Sequence, residues 1–422
     1  MSNYNTSSYT HGNTRSTTNT EDRNDDVVIV SALRTPMCRA RKGALSTVFP
    51  HTLLETVVKA TLERTCSSNS STANTQHSSS KFCASDIDDI SVGNVLMPPS
   101  GFAAMRMAAI ASGIPATSTS LYMVNRQCAS GLEAVAQIAN AIATGQIKIG
   151  IGAGVESMST YPMHKMKPPE MDWNCVQNNL PAMDCLVPMG ITSENVVKKY
   201  NLQREALDEF ALRSHQKATQ AQLNGSFDAE IVSVGTVSRD DGIRPSTTLE
   251  GLSNLKPVFD VKTGVTTAGN SSQTTDGAAA VLLMTRSEAN RRCLPILGVW
   301  RGYVTKGVPP HIMGIGPAYA IPAVLERTGL HIDDIDIFEI NEAFASQATW
   351  CVSELNIPLD KVNPNGGAIA LGHPLGCTGA RMVATLLHEL HRSKKRLGVI
   401  SMCIGTGMGA AAVLEVEPNA SL

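Results

Sequence analysis

Short apolar runs of strand length, Val27–Val30, Ile90–Val95, Leu121–Val124 and Ile147–Ile151, alternate along this chain with helical patterns at Leu53–Leu62 and Leu132–Ile142. Strands that take turns with helices bury a sheet between helical layers, so the order commits the chain to an α/β layered core. The theme returns later. Laying Asp89-Ile90…Asn94 on Asp336-Ile337…Asn341 puts Cys128 34 residues beyond the first asparagine and His373 32 residues beyond the second. Nearly equal offsets point to a duplication, each half a βαβ-type unit, packed so that equivalent loops bearing Cys128 and His373 converge on one site. Coincidence between short Asp/Ile strings is the competing reading. At 422 residues the chain exceeds what one core supports, and two or three domains are expected.

Between the halves lies a segment of different character, 160–272, enriched in Pro, Met and Asn and turn-rich around Asp240–Pro245. One long amphipathic helix is expected over Ser193–Leu223, with Ser193 and Glu194 supplying capping chemistry near its start and Asn224-Gly225 ending it. The strand returning to the first half is expected at Gly277–Met284. Residues 1–26 and the run Cys66–Lys81 are rich in Ser, Thr and Asn with little to bury, so both should be disordered or exposed. This divides the chain into a tail (1–26), a first half (27–159 with 273–292), the inserted segment (160–272) and a second half (293–422).

Composition excludes several classes of function. A net charge of -2 offers no general attraction to nucleic acid or an anionic membrane. No stretch approaches the ~18 consecutive apolar residues of a membrane span. The ten cysteines form no C-x-x-C pair and follow no secretory signal, which argues for a reducing compartment without a disulfide framework. Acids at Glu21, Asp22, Asp25 and Asp26 argue against a mitochondrial transit peptide, and Ala420-Ser421-Leu422 lacks the basic middle residue of a Ser-Lys-Leu tail. Neither Gly150-Ile-Gly152-Ala-Gly154 nor Gly405-Thr-Gly407-Met-Gly409 is a dinucleotide-binding opening, and no P-loop is present. His388-Glu389-Leu390-His391 falls one residue short of a zinc spacing and reads as an exposed helix face, so no metal site is indicated.

Cys128 stands where the apolar run Leu121–Val124 meets a small-residue helix pattern opening at Ala129-Ser-Gly131. A helix N-terminus carries unpaired N–H groups and partial positive charge, so a thiol there is expected to have a lowered pKa and to act as a nucleophile. Taken alone, a cysteine in an apolar stretch is as well read as core filler. Two distant segments shift the balance. Gly372-His373-Pro374-Leu375-Gly376-Cys377-Thr378-Gly379 sets one imidazole among glycines and a proline, as a loop that holds it in place. Cys403-Ile404-Gly405-Thr406-Gly407 brings a second thiol to the end of the apolar run Leu397–Met402, beside glycines that let N–H groups approach a substrate oxygen. Asn341-Glu-Ala-Phe-Ala345 follows another strand-like run, Ile335–Ile340.

The strings NRQCASGLEAV, GVESMS, PMGITSENV, GIRPSTT, TAGNSSQ, NEAFASQA, GHPLGCTGAR and CIGTGMGAAA, in this order from Asn125 onward, resemble those of the thiolase family over roughly Val27 to Glu417. Within it the chain is similar to the peroxisomal-type 3-ketoacyl-CoA thiolases, because short-chain acetoacetyl-CoA thiolases usually carry His-Met-Gly where this chain has Pro188-Met189-Gly190. The resemblance implies a five-layered αβαβα core of two duplicated halves, with 160–272 as a loop domain that covers the site and holds the coenzyme. It also implies a homodimer in the peroxisome, with cytoplasm or mitochondrion as alternatives, acting on acyl-CoA and CoA without a cofactor. Cys128 would take the acyl group, His373 its proton, and Cys403 would protonate the enolate of the departing acetyl-CoA. One oxyanion hole would combine His373 with a water held by Asn341; the other would use N–H groups of Cys128 and Gly405. Arg244 would lie beside the ADP moiety, Phe259 near the adenine and Ser272 on the pantetheine arm, with Met189, Ala268, Ala343 and Phe344 lining the tunnel. An acetoacetyl-CoA thiolase working in the condensing direction and a non-catalytic acyl-CoA-binding protein remain the alternatives.

Overall fold

The structure, a computed structural model, describes residues 24–68, 81–166 and 170–417. Most of the polar tail, most of the Ser/Thr-rich run and the C-terminal Ala420-Ser421-Leu422 therefore lie outside the described residues. The first half consists of β1 (Val27–Arg34), a two-residue β2 (Cys38–Arg39), α1 (Pro50–Ser68), β3 (Asp89–Gly93), α2 (Phe102–Ala111), β4 (Ser120–Val124), α3 (Ser130–Ala143) and β5 (Ile149–Ser157). Helices α4 (Leu180–Met183), α5 (Met189–Tyr200), α6 (Arg204–Leu223) and α7 (Leu249–Ser253) precede β6 (Thr275–Thr285), which returns to the sheet and leads into α8 (Arg286–Arg291). The second half runs β7 (Gly298–Gly307), α9 (Gly316–Thr328), β8 (Ile337–Ile340), α10 (Ala345–Glu354), α11 (Ala368–Leu371), α12 (Leu375–Ser393), β9 (Leu397–Ile404) and β10 (Met408–Glu415).

Strand order repeats between the halves. The first sheet reads β4-β3-β5-β6-β1 and the second β8-β9-β10-β7, joined where Val28 pairs with Val299 and Ile29 with Gly298. In each, parallel pairs come first (β3 with β4 and β5; β8 with β9) and antiparallel pairs follow. Even the place of β4 has a counterpart, since Phe338 forms a parallel bridge with Val362.

The period of two in the strands builds the layers. Along β6, Ala279, Val281 and Leu283 face a central cluster with α3 and α12, while Ala278, Ala280, Leu282 and Met284 face outward to α1 and α2. Along β10, Ala410, Ala412 and Leu414 face the same central cluster, and Ala411 and Val413 pack against α9. The result is helix, sheet, helix, sheet, helix.

Strand pairing corrects the register of the repeat by one residue. Asp89 pairs with Gly150, and it is Ile337 that pairs with Gly398. Asp88, not Asp89, matches Asp336: each carboxylate accepts two backbone N–H groups at the head of the next strand, Lys148 and Ile149 in one half and Arg396 and Leu397 in the other. Asn94 and Asn341 therefore do not correspond.

The single helix expected over Ser193–Leu223 is two helices. Asn201 adopts a left-handed φ of 52° and ends α5, and α6 begins at Arg204. Ser193 and Glu194 are interior to α5. Their side chains are spent on tertiary contacts, Ser193 with the hydroxyls of Thr266 and Ser346 and Glu194 with the N–H groups of Val265 and Thr266. The expected end holds, with Asn224 as C-cap and Gly225 at φ 71°. At the other disputed boundary, α1 continues to Ser68, so Cys66 and Ser67 are helical rather than part of a loop.

Candidate active site

Cys128 occupies the turn from β4 into α3. Gln127 takes a φ of 48°, and the Ser130 hydroxyl accepts from Arg126 N–H at 2.9 Å while donating to the Gln127 carbonyl at 2.6 Å. The thiol is thereby held two residues ahead of the helix, packed with Val95, Leu96, Met158 and Leu375. The expected low pKa is not found. Burial pushes the thiol up to about 11, outweighing the N–H groups of Gly405 and of Cys128 itself, and the Glu156 carboxylate opposes a further negative charge. At rest Cys128 is a thiol.

His373 belongs to the loop Gly372–Pro374 that leads into α12. Its N–H donates to the Gln273 carbonyl at 3.0 Å and to Thr275 Oγ1 at 3.1 Å, both on the segment entering β6. Nδ1 lies 2.6 Å from Thr378 Oγ1, and Nε2 lies 3.4 Å from Asn341 Nδ2. With the Asn341 amide as donor, the ring proton sits on Nδ1 against Thr378 and the Nε2 lone pair faces the site. Burial, helped by the Arg381 guanidinium, lowers the imidazole to about 3, so it is neutral and able to accept a proton. Glycines 376 and 379, which looked like loop residues, lie inside α12. They permit close approach to the first half: a Cβ on Gly376 would come 2.6 Å from Asn94 Cα, and one on Gly379 2.2 Å from Leu132 N.

Cys403 lies within β9 opposite Gly409, fully buried with Met313 and Ala343 and against Met189 and Phe344. Its thiol is raised well above the ordinary range, by burial first and then by the neighbouring Cys128 and Cys351. A thiolate on either of Cys128 and Cys403 thus opposes ionisation of the other. The β9–β10 hairpin turns through Thr406 (φ 69°) and Gly407 (φ 90°), which aims the Gly405 N–H at the Cys128 sulfur. Leu375, two residues after His373, packs in the same cluster as Cys128. Two thiols, an imidazole, an amide and convergent N–H groups therefore share one locality, suited to covalent acyl transfer with proton shuttling.

A wall of residues runs outward from Cys403. Phe344 meets Phe259 edge-on at 6.2 Å, Phe259 lies over Gly190 beside Met189, and Ser272 N–H donates to the Ala343 carbonyl at 3.0 Å. Phe259 is 40% exposed, so the wall reaches the surface. Ala268 is exposed on the tight turn Thr267–Asn270, held by the Thr267 hydroxyl. Arg244 is exposed. Its backbone N–H donates to His215 Nδ1 at 3.2 Å, and Gln273, next to Ser272, donates to the Gly242 carbonyl of the same turn.

Sequence reading passed over Thr378, Thr275 and Glu156. A visible signal existed for Glu156, the one acid in the small apolar strand IGIGAGVES. The His388–His391 segment is not the exposed face expected: Glu389 and Leu390 are buried, and the two imidazoles tie α12 to the carbonyls of Ala32 and Leu297. Among the described residues no group of His, Cys, Asp or Glu could hold a metal ion, and no helix is long and apolar enough to cross a membrane.

Comparison with known proteins gives consistent results. The family model described as the thiolase N-terminal domain matches residues 27–287, and that of the thiolase C-terminal domain matches 294–416. The rat peroxisomal 3-ketoacyl-CoA thiolase B is 54% identical over 408 residues, 93% of this chain and 92% of its own. The dimeric peroxisomal thiolase of Saccharomyces cerevisiae superimposes with a TM-score of 0.86 at 48% identity, covering 94% of this chain and 98% of that one. A second structure of the peroxisomal 3-ketoacyl-CoA thiolase from that yeast, described as five-layered with two core domains of identical topology, matches with a TM-score of 0.76 at 44% identity, covering 94% of this chain and 100% of that one.

Proposed function

The chain belongs to the thiolase family, and from that premise we propose that it cleaves 3-ketoacyl-CoA with CoA, giving acetyl-CoA and an acyl-CoA shortened by two carbons through an acyl-enzyme on Cys128. It is an acyltransferase of peroxisomal fatty acid β-oxidation. CoA is a substrate here rather than a resident cofactor, and the working form is a homodimer.

Breaking the C2–C3 bond of the substrate needs a nucleophile for the ketone carbon, an acid for the departing carbanion and stabilisation of negative oxygen in two transition states. Cys128 Sγ attacks C3 as His373 Nε2 takes its proton; with a thiol near 11 and an imidazole near 3, transfer accompanies C–S bond formation instead of preceding it. The oxygen on C3 becomes negative in the hole formed by the Cys128 and Gly405 N–H groups. Collapse expels the acetyl-CoA enolate, whose oxygen faces His373 and Asn341, and Cys403 Sγ–H supplies the proton to its carbon. CoA thiol then attacks the Cys128 thioester as its proton passes to the Cys403 thiolate; Cys128 leaves as sulfur anion, recovers the proton held by His373, and the shortened acyl-CoA is released. Two sulfurs are needed because the acylated one cannot also act as acid or base. The segment 160–272 covers the site, with Met189, Phe259, Ala268, Ser272, Ala343 and Phe344 along the pantetheine arm and Arg244 at its phosphorylated end.

The observation that carries this reading is the pairing of the two thiols, Cys128 close enough to raise the Cys403 thiol, with the Gly405 N–H on the Cys128 sulfur. Incubation with acetoacetyl-CoA should leave an adduct of about 42 Da on Cys128 in mass spectra; an unmodified Cys128 would overturn the assignment. Thiolysis rates across short, medium and long acyl chains test the subtype, and activity restricted to acetoacetyl-CoA would favour the acetoacetyl-CoA thiolase instead.

A further inference from the structure

Beneath Cys128, one carboxylate joins the two halves. Glu156 on β5 is fully buried. Its Oε2 accepts the N–H of Val95 and the N–H of Gly376, each at 3.0 Å. Oε1 accepts the Leu96 N–H at 3.2 Å and the Asn94 amide at 3.1 Å. Val95 and Leu96 form part of the cluster that packs Cys128, whereas Gly376 is the second residue of α12, three beyond His373. These segments touch directly, since a Cβ on Gly376 would sit 2.9 Å from the Gly93 carbonyl and 2.6 Å from Asn94 Cα. Every one of the four contacts is a donor to Glu156, so only a group that accepts through both oxygens fits; a glutamine would turn an NH2 against N–H groups.

We propose that Glu156 is a positioning residue for thiolysis: by accepting from both segments at once it sets the spacing between the Cys128 nucleophile and the His373 base. The role rests on the assignment of those two residues given above. Burial raises the Glu156 carboxyl to about 7 in spite of those four donors, so above that pH its charge adds to the burial that keeps the Cys128 sulfur protonated. Through this one side chain the Asn94–Leu96 segment that packs against Cys128 is tied to the first turn of α12, and the contacts involve no cation that would make Glu156 an ordinary ion-pair member.

Two variants test this, each checked for folding by circular dichroism. In Glu156→Gln, kcat for acetoacetyl-CoA thiolysis should fall about a hundredfold with KM nearly unchanged, the expected result of displacing reacting groups by about 1 Å. Alkylation of Cys128 by iodoacetamide at about pH 9, where the parent carboxyl is ionised, should become faster, because the opposing charge is gone. Glu156→Asp keeps the charge but shortens the reach, so kcat should fall comparably without faster alkylation. If the glutamine variant fails to fold, the aspartate variant decides alone. A folded variant with wild-type kcat, or a loss confined to KM, overturns the proposal. Acetylation of wild-type Cys128, measured in parallel, separates the two claims: its absence sinks the catalytic assignment, while its presence alongside fully active variants sinks only the role of Glu156.

Discussion

Helices α3 and α12 form the middle layer, and the contact between them should govern stability and catalysis together. A Cβ on Gly379 would lie 2.2 Å from Leu132 N, where ordinary contact begins at 3.4 Å, so Gly379→Ala needs about 1.2 Å of separation between two tightly packed helices. The obstructing atoms are N, Cα and Cβ of Leu132, which no rotamer change can move. Overpacking of this kind costs about 1–3 kcal/mol, occasionally more. Because α3 starts just after Cys128 and α12 just after His373, the same displacement should slow the reaction about a hundredfold. Urea unfolding and kcat for acetoacetyl-CoA thiolysis, measured where the variant is fully folded, read the two effects. Gly307→Ala is the control, since no atom lies within 4 Å of a Cβ there and its φ is not in the left-handed region; it should stay within about 0.5 kcal/mol of the parent protein. A Gly379→Ala protein with unchanged midpoint and unchanged kcat would show that the two halves are not held in register by this contact.

Alkylation of Cys128 in the resting enzyme should climb steadily with pH beyond 9, because burial holds its thiol near 11; a plateau below pH 8 would reveal a preformed thiolate–imidazolium pair. Cys403→Ala should lower thiolysis about 10²- to 10⁴-fold, the range for losing a general acid, while acetyl transfer from acetyl-CoA to Cys128 persists; loss of both would mean that Cys403 serves acylation too. His373 and His215 have folded pKa values near 3 and 4, below the ordinary 6.5, so the unfolded chain takes up protons first. Their stabilisation is full above pH 6.5 and is lost as pH falls toward those values. His215→Gln should therefore lose about 2 kcal/mol less than the parent protein between pH 7 and pH 5, and equal losses in urea titrations would show that His215 is already protonated or exposed.

How far the sequence could be read depends on the kind of signal each residue carries. The strands of the first half and β6 announced themselves through continuous apolar runs, because a strand covered on both faces has no polar side to show. The duplication was visible, yet off by one residue, since neighbouring aspartates at 88 and 89 look alike until hydrogen bonds reveal which one accepts from the next strand. The break at Asn201 was hidden because the amphipathic pattern carries on across it and only a left-handed backbone angle interrupts the helix. Ser193 and Glu194 resembled caps for the same reason: a polar side chain that helps end a helix and one that bonds a distant loop have identical composition.

Cys128, His373, Cys403 and Asn341 were singled out by residue type and by glycine-rich surroundings, and the domain order followed from alternating strand and helix patterns. The ionisation of Cys128, His373 and Cys403 was decided chiefly by burial, which at Cys128 overrode the N–H groups that favour thiolate. Glycines 376 and 379 were visible in the sequence, but their purpose, admitting one helix backbone against another, exists only once the halves are stacked. Chain pattern fixes local elements because side-chain periodicity is a property of neighbours along the backbone. Charge state and reactive geometry depend on which atoms are brought together and which lose water, and those are set by contacts between residues hundreds of positions apart.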